Sequence, residues 1–391
     1  MKKMTGNMCE KSRVVLLHCD SYESGQVYKA MREGIRLLGG FPSMIGKNEK
    51  ILIKPNLVRK AEISRAVITH PAVVEAVVRL LREDGYEHLA CGDSCGIGSA
   101  GRTIAGTGMD EMLERYQVPV RDFEKPVRIA YPEGRQAKQF ILAQDVLEAD
   151  ALINICKMKT HALERVTGAV KNMYGCVCGL HKAQGHTIYP NADSFARMLV
   201  DLNQRLKPRL YIMDGITAME GNGPTSGDPV EMHVLLLSMD PVALDSVFCR
   251  LVHLDPELVP TNVHGAAAGL GTWKEEAIEL ITLEGEISMA EAVKRFGKPD
   301  FRVDREKYRK NIWNALHALK VFQKKPYIVA DKCKKCGICV ESCPVKGKAL
   351  HFPDGRQNPP VYDYRKCIRC FCCQEMCPHK AIQVKKKGFG R

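Results

Sequence analysis

Two short cysteine runs near the carboxyl end constrain this 391-residue chain more than any other feature. They read "CKKCGICVESCP" from Cys333 to Pro344 and "CIRCFCCQEMCP" from Cys367 to Pro378. Each is C-x2-C-x2-C-x3-C-P. Two-residue loops can hold three sulfurs on one face of a small cage, while the Cys-Pro turn sends the fourth away. The spacing therefore predicts two [4Fe–4S] clusters with crossed ligation. Cys333, Cys336, Cys339 and Cys377 form one ligand set. Cys367, Cys370, Cys373 and Cys343 form the other, and Cys372 is a spare thiol. Gly337 lets backbone approach the cage, and Pro344 and Pro378 are expected to open short helices. Paired C-x2-C also serves zinc, but two identical runs that each close on proline favour cubes. The chain holds seventeen cysteines, and its start, "MKKMTGNMCEKSR", has no apolar export segment. That combination predicts a cytoplasmic protein with metal or redox chemistry rather than a disulfide scaffold.

The tail resembles two-cluster bacterial ferredoxins over about 60 residues. The resemblance implies a pseudo-symmetric β-α-β unit and low-potential one-electron transfer. The segment between the runs, "ALHFPDGRQNPPVYDY", is expected to form a hairpin or loop excursion. Residues 326–391 carry fourteen Lys/Arg against five Asp/Glu, or +9 of the net +13. That excess suits an acidic redox partner, whether a protein or a small electron carrier. Nucleic acid is disfavoured, because no basic helix interleaved with aromatics occurs. No apolar run approaches the roughly eighteen residues of a membrane span.

The first 300 residues alternate strand-sized apolar runs with amphipathic helical patterns. "RVVLLHC", "KILIKPN", "HLACGDS", "ALINICKMK", "RLYIMDG" and "VLLLSMD" read as strands, the last two ending in aspartate. Helices are predicted over Ser24–Leu38, over "THPAVVEAVVRLLREDG" with Thr69 as cap, and over "VALDSVFCRLV" behind Asp240 and Pro241. The alternation predicts an α/β domain with a mostly parallel sheet, whose ligands sit beyond the carboxyl ends of the strands. Residues 1–325 form this domain, ending in a helical connector at about 300–325. Residues 326–391 form the ferredoxin-like domain.

The densest chemistry in the large domain is "INICKMKTHALERVTGAVKNMYGCVCGL", from Ile153 to Leu180. Lys157, Lys159, His161, Lys171 and Asn172 are the candidate site residues, with the lysines balancing an anionic ligand. A lysine of this kind is more often a surface residue, and a lone histidine such as His161 more often a cap or core residue than a ligand. A helix is expected here, with Val166, Val170, Met173, Tyr174 and Val177 facing the core. Gly168, Asn172, Gly175 and Gly179 lie on another stripe, where a neighbouring element or a ligand approaches the backbone. Cys91, Cys95, Cys156, Cys176 and Cys178 read as buried small hydrophobes, with a further metal or redox disulfide as the alternative. "GDSCGIGSAG" and "MEGNGPTSG" are glycine-rich loops able to cradle phosphate, without a Walker or G-x-G-x-x-G pattern. Asp214, Glu220 and Asp245 can serve as acid/base or cation-binding groups, with ordinary capping as the alternative for Asp245.

"KPN" at Lys54–Asn56, "GDS" at Gly92–Ser94, "KMKTH" at Lys157–His161, "TGAVKNMYG" at Thr167–Gly175 and "MEGNGP" ending at Pro224 together resemble the domain-of-unknown-function family numbered 362. The resemblance covers roughly residues 12–280. It implies the architecture and the fusion to a ferredoxin module, as found in anaerobes, and no reaction. Three readings stand open. One is an oxidoreductase that moves single electrons between the clusters and a site near Lys157–Cys178. Another is a non-catalytic electron-transfer or maturation partner of a separate metalloenzyme. The third is a phosphate- or nucleotide-binding enzyme with structural or sensory clusters. An enclosed polar pocket near Lys159 and Asn172, beside a cluster, favours the first. A flat basic face favours the second.

Overall fold

Alternating apolar residues in "RVVLLHC" build the first strand of a two-faced sheet. Val14 and Leu16 enter one core and Val15 and Leu17 the other, as the two-residue period of a strand requires. The computed structural model describes residues 11–179, 181–307 and 324–385. The first ten residues, most of the expected connector and the basic tail after residue 385 lie outside them.

In the large domain the strands are β1 (Ser12–His18), β2 (Ile51–Pro55), β3 (Leu89–Gly92), β4 (Val120–Arg121), β5 (Pro126–Ala130), β6 (Gln139–Ala143), β7 (Ala151–His161), β8 (Arg165–Thr167), β9 (Leu210–Glu220), β10 (Asp228–Ser238), β11 (Ile278–Thr282) and β12 (Gly285–Glu286). The main sheet runs β12-β11-β1-β10-β9-β7-β2-β3-β4, with β8 folded back on β7. Five pairings are parallel: β11 with β1, β9 with β7, β7 with β2, β2 with β3, and β3 with β4. The pairs β1/β10 and β10/β9 are antiparallel. Helices cover both faces, which explains why the central strands read as unbroken apolar runs.

Local details depart from the sequence reading in three places. The helix Pro71–Glu83 is capped by His70, whose ring accepts from the Ala72 N–H. Thr69 instead accepts from the Asn56 N–H at 2.9 Å and donates to the Ile155 carbonyl at 2.8 Å, tying β2 to β7. β9 does not stop at Asp214 but continues to Glu220. The helix expected across Val166–Val177 shrinks to one turn at Ala169–Asn172 and a tight turn at Met173–Cys176, because β7 runs on to His161 and folds back through β8. Tertiary pairing here overrides a helical spacing that two glycines had already weakened. Asp240 caps the helix Pro241–Leu251 as read, accepting from the N–H groups of Val242 and Ala243.

In the C-terminal unit β13 (Lys325–Ile328) pairs with β16 (Ile382–Lys385), and β14 (Leu350–His351) pairs with β15 (Val361–Tyr362). The expected excursion between the cysteine runs is therefore a hairpin. The short helices Ile338–Glu341 and Cys372–Met376 lie inside the runs and precede the prolines that were expected to open them. Gly337 sits at φ 86°, a conformation open to glycine at little cost, at the start of the first of these helices.

Candidate functional site

β7 is buried along all eleven residues, so its lysines need partners, since an unpaired buried charge is costly. Lys157 has them: its ammonium donates to Asp214 Oδ2 at 2.8 Å and to the Tyr22 hydroxyl at 2.7 Å. Lys54 on β2 likewise faces Asp93 Oδ1 at 3.0 Å, with both side chains buried. Lys159 differs. It donates to the Val67 carbonyl at 2.9 Å and to Asn56 Oδ1 at 3.3 Å, and among the described residues no carboxylate forms an ion pair with it. Burial, then the charges of Lys171 and Lys157, push its ammonium down to about 7.

Lys159 borders a cavity of about 550 Å3 that lies between the large domain and the C-terminal unit. Asn56, Asp93, Ser94, Lys171, Asn172, Lys182 and His186 line it from one side, and Cys343, Cys372, Glu375 and Met376 from the other. Lys171 makes no hydrogen bond or ion pair with the described residues. Lys182 donates to the Ser94 carbonyl, and burial lowers its pKa. His186 stacks on Phe195 with centroids 4.5 Å apart, and its buried Nδ1 has no partner. Burial pushes that imidazole down to about 4, so it is neutral near pH 7. Among the described residues no carboxylate is bonded to Lys159, Lys171 or Lys182, and together they give one side of the cavity a cationic character suited to an anion, with Glu375 on the opposite side.

The two units meet through a polar seam. His161 Nδ1 accepts from the N–H groups of Leu163 and Glu164, so its proton sits on Nε2 and is donated to Glu375 Oε1 at 2.6 Å. Gln374 Nε2 donates to the carbonyls of Asn222 and Gly223, both at 2.9 Å, and Thr225 Oγ1 to the Glu375 carbonyl at 2.6 Å. The loop "MEGNGPTSG", read as a phosphate cradle, thus grips the C-terminal unit. The other glycine-rich loop, "GDSCGIGSAG", does line the cavity through Asp93, Ser94, Cys95, Gly96 and Gly98.

The glycine stripe has two separate causes. A Cβ on Gly168 would collide with Asp245, whose carboxylate accepts from the N–H groups of Ala169 and Val170 at 2.6 and 3.1 Å. A Cβ on Gly175 would collide with Asp93 Oδ1 and lie 2.5 Å from Lys54 Nζ. Protein groups make both close approaches. Gly179, at φ 46°, has open space beside it on the cavity wall.

The cysteines of the two runs surround two hollows. Cys333, Cys336, Cys339 and Cys377 line one, and Cys343, Cys367, Cys370 and Cys373 line the other. The donor chemistry fits a cube at each. The Ala381 N–H points at Cys377 Sγ and the Ala349 N–H at Cys343 Sγ, both at 3.3 Å, and Tyr362 OH lies 3.2 Å from Cys373 Sγ. Such donors favour thiolate over thiol. Among the described residues no group of three or more His, Cys, Asp or Glu converges on a single-ion site. The sulfurs ring a space instead of meeting at a point, as one thiolate on each iron of a cage requires.

The sequence-derived candidates therefore divide. Lys159, Lys171 and Asn172 share the cavity, Lys157 is neutralised by Asp214, and His161 belongs to the seam. Glu220 pairs with Arg302 at 2.6 Å, and Asp245 caps a helical turn. Cys91, Cys95, Cys156, Cys176 and Cys178 are all buried free thiols. Sequence reasoning missed Asn56, Lys182 and His186. Asn56 sat in a noted strand-end motif, whereas nothing local marked the other two.

The chain matches the domain of unknown function DUF362 over residues 51–250 and a 4Fe–4S dicluster domain over residues 325–378. It is 36% identical over 258 residues to the thylakoid-associated protein sll1697 of Synechocystis, across 66% of this chain and 79% of that protein. The chain belongs to the DUF362 family. This DUF362 protein carries an iron–sulfur module fused behind an α/β domain. Among solved structures, the lactate racemase apoprotein of Thermoanaerobacterium thermosaccharolyticum shares 12% identity at a TM-score of 0.40, covering 59% of this chain and 55% of that one. A Thermotoga maritima protein shares 11% at 0.32, covering 57% of each chain. The chain spans little more than half the length of these two, and neither likeness bears on function. Among the described residues no helix is long and apolar enough to cross a membrane.

Proposed function

We propose that this DUF362 protein is a cytoplasmic iron–sulfur oxidoreductase acting on an anionic ligand held between its two units. Cys333, Cys336, Cys339 and Cys377 hold one [4Fe–4S] cluster, and Cys367, Cys370, Cys373 and Cys343 the other. When bound, the clusters supply one-electron transfer at a potential set by hydrogen bonds to the sulfurs and by exposure. The observation that carries the reading is shared lining: Cys343 borders the same cavity as Lys159, Lys171 and Asn172. The fusion thus keeps electron donor and acceptor site at a fixed high effective concentration. Lys171 and Lys182 attract the anion, Asn172 and Asn56 orient it, and the C-terminal unit walls it on the far side. A concave site of about 550 Å3, with Lys159, Lys171 and Lys182 on its wall, supports an enzyme over a flat docking scaffold for another metalloenzyme.

Anaerobic purification followed by iron and sulfide analysis, low-temperature EPR and mass spectrometry of bound small molecules tests the reading. Zinc in place of iron, or a cavity that retains no anion, overturns it. Lys171→Ala should weaken binding of the copurifying anion about tenfold, the loss of one charge-assisted hydrogen bond, with iron content unchanged. Binding should also depend on pH through Lys159. An anion raises the ammonium pKa above its free value of about 7. Affinity is then full below pH 7 and falls as pH rises through and above 7, by up to about tenfold per unit. A titration series from pH 6 to 9 measures this, and Lys159→Met should flatten the profile.

A further inference from the structure

We propose that the Cys336 edge of the C-terminal unit, with its exposed lysines, is the docking face for an acidic one-electron carrier protein. The inference rests on the electron-transfer reading above and gives it a direction in space. The two cysteine quartets differ in exposure. In the first, Cys336 is exposed and Cys333 half-buried. All four cysteines of the second are buried, and its Cys343 borders the cavity between the units. One quartet therefore faces outward and the other inward. A carrier protein cannot enter the cavity, so it exchanges electrons at the outward edge.

The chemistry of that edge selects the partner. Lys332, Lys334 and Lys335 flank Cys336 and are exposed. The Arg356 guanidinium packs over Gly337, with Nη2 2.7 Å from where a Cβ would stand. Asp331 and Asp354 are the exposed acids beside them. Lys332 and Lys334 make no ion pair with the described residues, so their charge is available to a partner. Like-signed charge around an exposed redox edge steers an oppositely charged protein and orients it on contact. No aromatic side chain interleaves these lysines, which disfavours single-stranded nucleic acid. At the face one electron passes, the carrier is oxidised and the chain reduced or the reverse, and no bond forms.

The test uses the anaerobically purified full chain and oxidised flavodoxin, a strongly acidic carrier, immobilised for association-rate measurement. Wild type should bind with a rate that falls steeply between low and high salt. The pair Lys334→Glu and Lys335→Glu should lower the low-salt rate tenfold or more. The pair Lys346→Glu and Lys366→Glu, elsewhere on the same unit, should change it less than twofold. Equal effects of the two pairs, salt-independent binding, no binding, or RNA binding at Lys334 and Lys335 in place of flavodoxin would overturn the docking face. Iron content and EPR of each variant report separately on the underlying reading. Absent clusters in wild type sink that reading, whereas intact clusters with unchanged docking sink only this one.

Discussion

The double variant Cys339→Ala/Cys343→Ala is expected to lose essentially all of its iron, about eight atoms per chain, although both changes lie in one cysteine run. Cys339→Ala/Cys377→Ala spans both runs and should lose only half. Crossed ligation requires this pattern, because it assigns Cys339 and Cys377 to one cage and Cys343 to the other. If each run held its own cluster the two outcomes would be exchanged. Iron and sulfide content with EPR after anaerobic reduction separates them. The half-loaded variant is the internal control for folding, since it carries the same number of alanine replacements. The prediction has its basis in the two hollows, each lined by three sulfurs of one run and the fourth of the other.

The second large effect is expected at Gly175. An alanine methyl there would meet the Asp93 carboxylate and the Lys54 ammonium, a pair held at 3.0 Å and buried. The backbone cannot retreat easily, because the Gly175 carbonyl accepts from the Ser94 N–H at 3.1 Å. The methyl must therefore separate the ion pair or strain the loop. Breaking a buried pair costs about 3–5 kcal/mol, so Gly175→Ala should lower stability by about 3 kcal/mol or more. Gly179→Ala, with open space around it, should cost about 1 kcal/mol through its left-handed backbone alone. Denaturant midpoints of the two variants measure the contrast, and equal midpoints would mean that the ion pair accommodates the methyl.

The parts legible from sequence were those whose information is local. Each cysteine run is complete within twelve residues, and the pair of runs matches a 4Fe–4S dicluster domain. The alternation of strand and helix gave the α/β sheet, because each run carries its own period. The cavity was less legible, since its wall is assembled from the loops after β2 and β3, β7, the turn after β8, the helix His181–Ile188 and the C-terminal unit. Lys157 and Lys159 look alike in "KMKTH". Only the carboxylate of Asp214, 57 residues further on, makes one of them a structural charge and leaves the other at the site. Gly168 and Gly175 signalled close approach correctly, with a side chain from a distant helix and a buried ion pair filling those spaces, whereas Gly179 has open space beside it. The loop "MEGNGPTSG" misled for a related reason. Glycine-rich backbone offers its amides and carbonyls to any polar partner, and here its carbonyls accept from Gln374 and Lys380 of the same chain.

The seam between the units limits how this protein could have been put together. His161, Asn222 and Thr225 on one side meet Glu375, Gln374 and Ile382 on the other through direct hydrogen bonds. An iron–sulfur module borrowed from another protein would arrive without the matching groups and leave these unsatisfied. The join is therefore a co-adapted mortise rather than a modular swap, and descendants that shed the carboxyl-terminal piece would have to repolish the surface left bare.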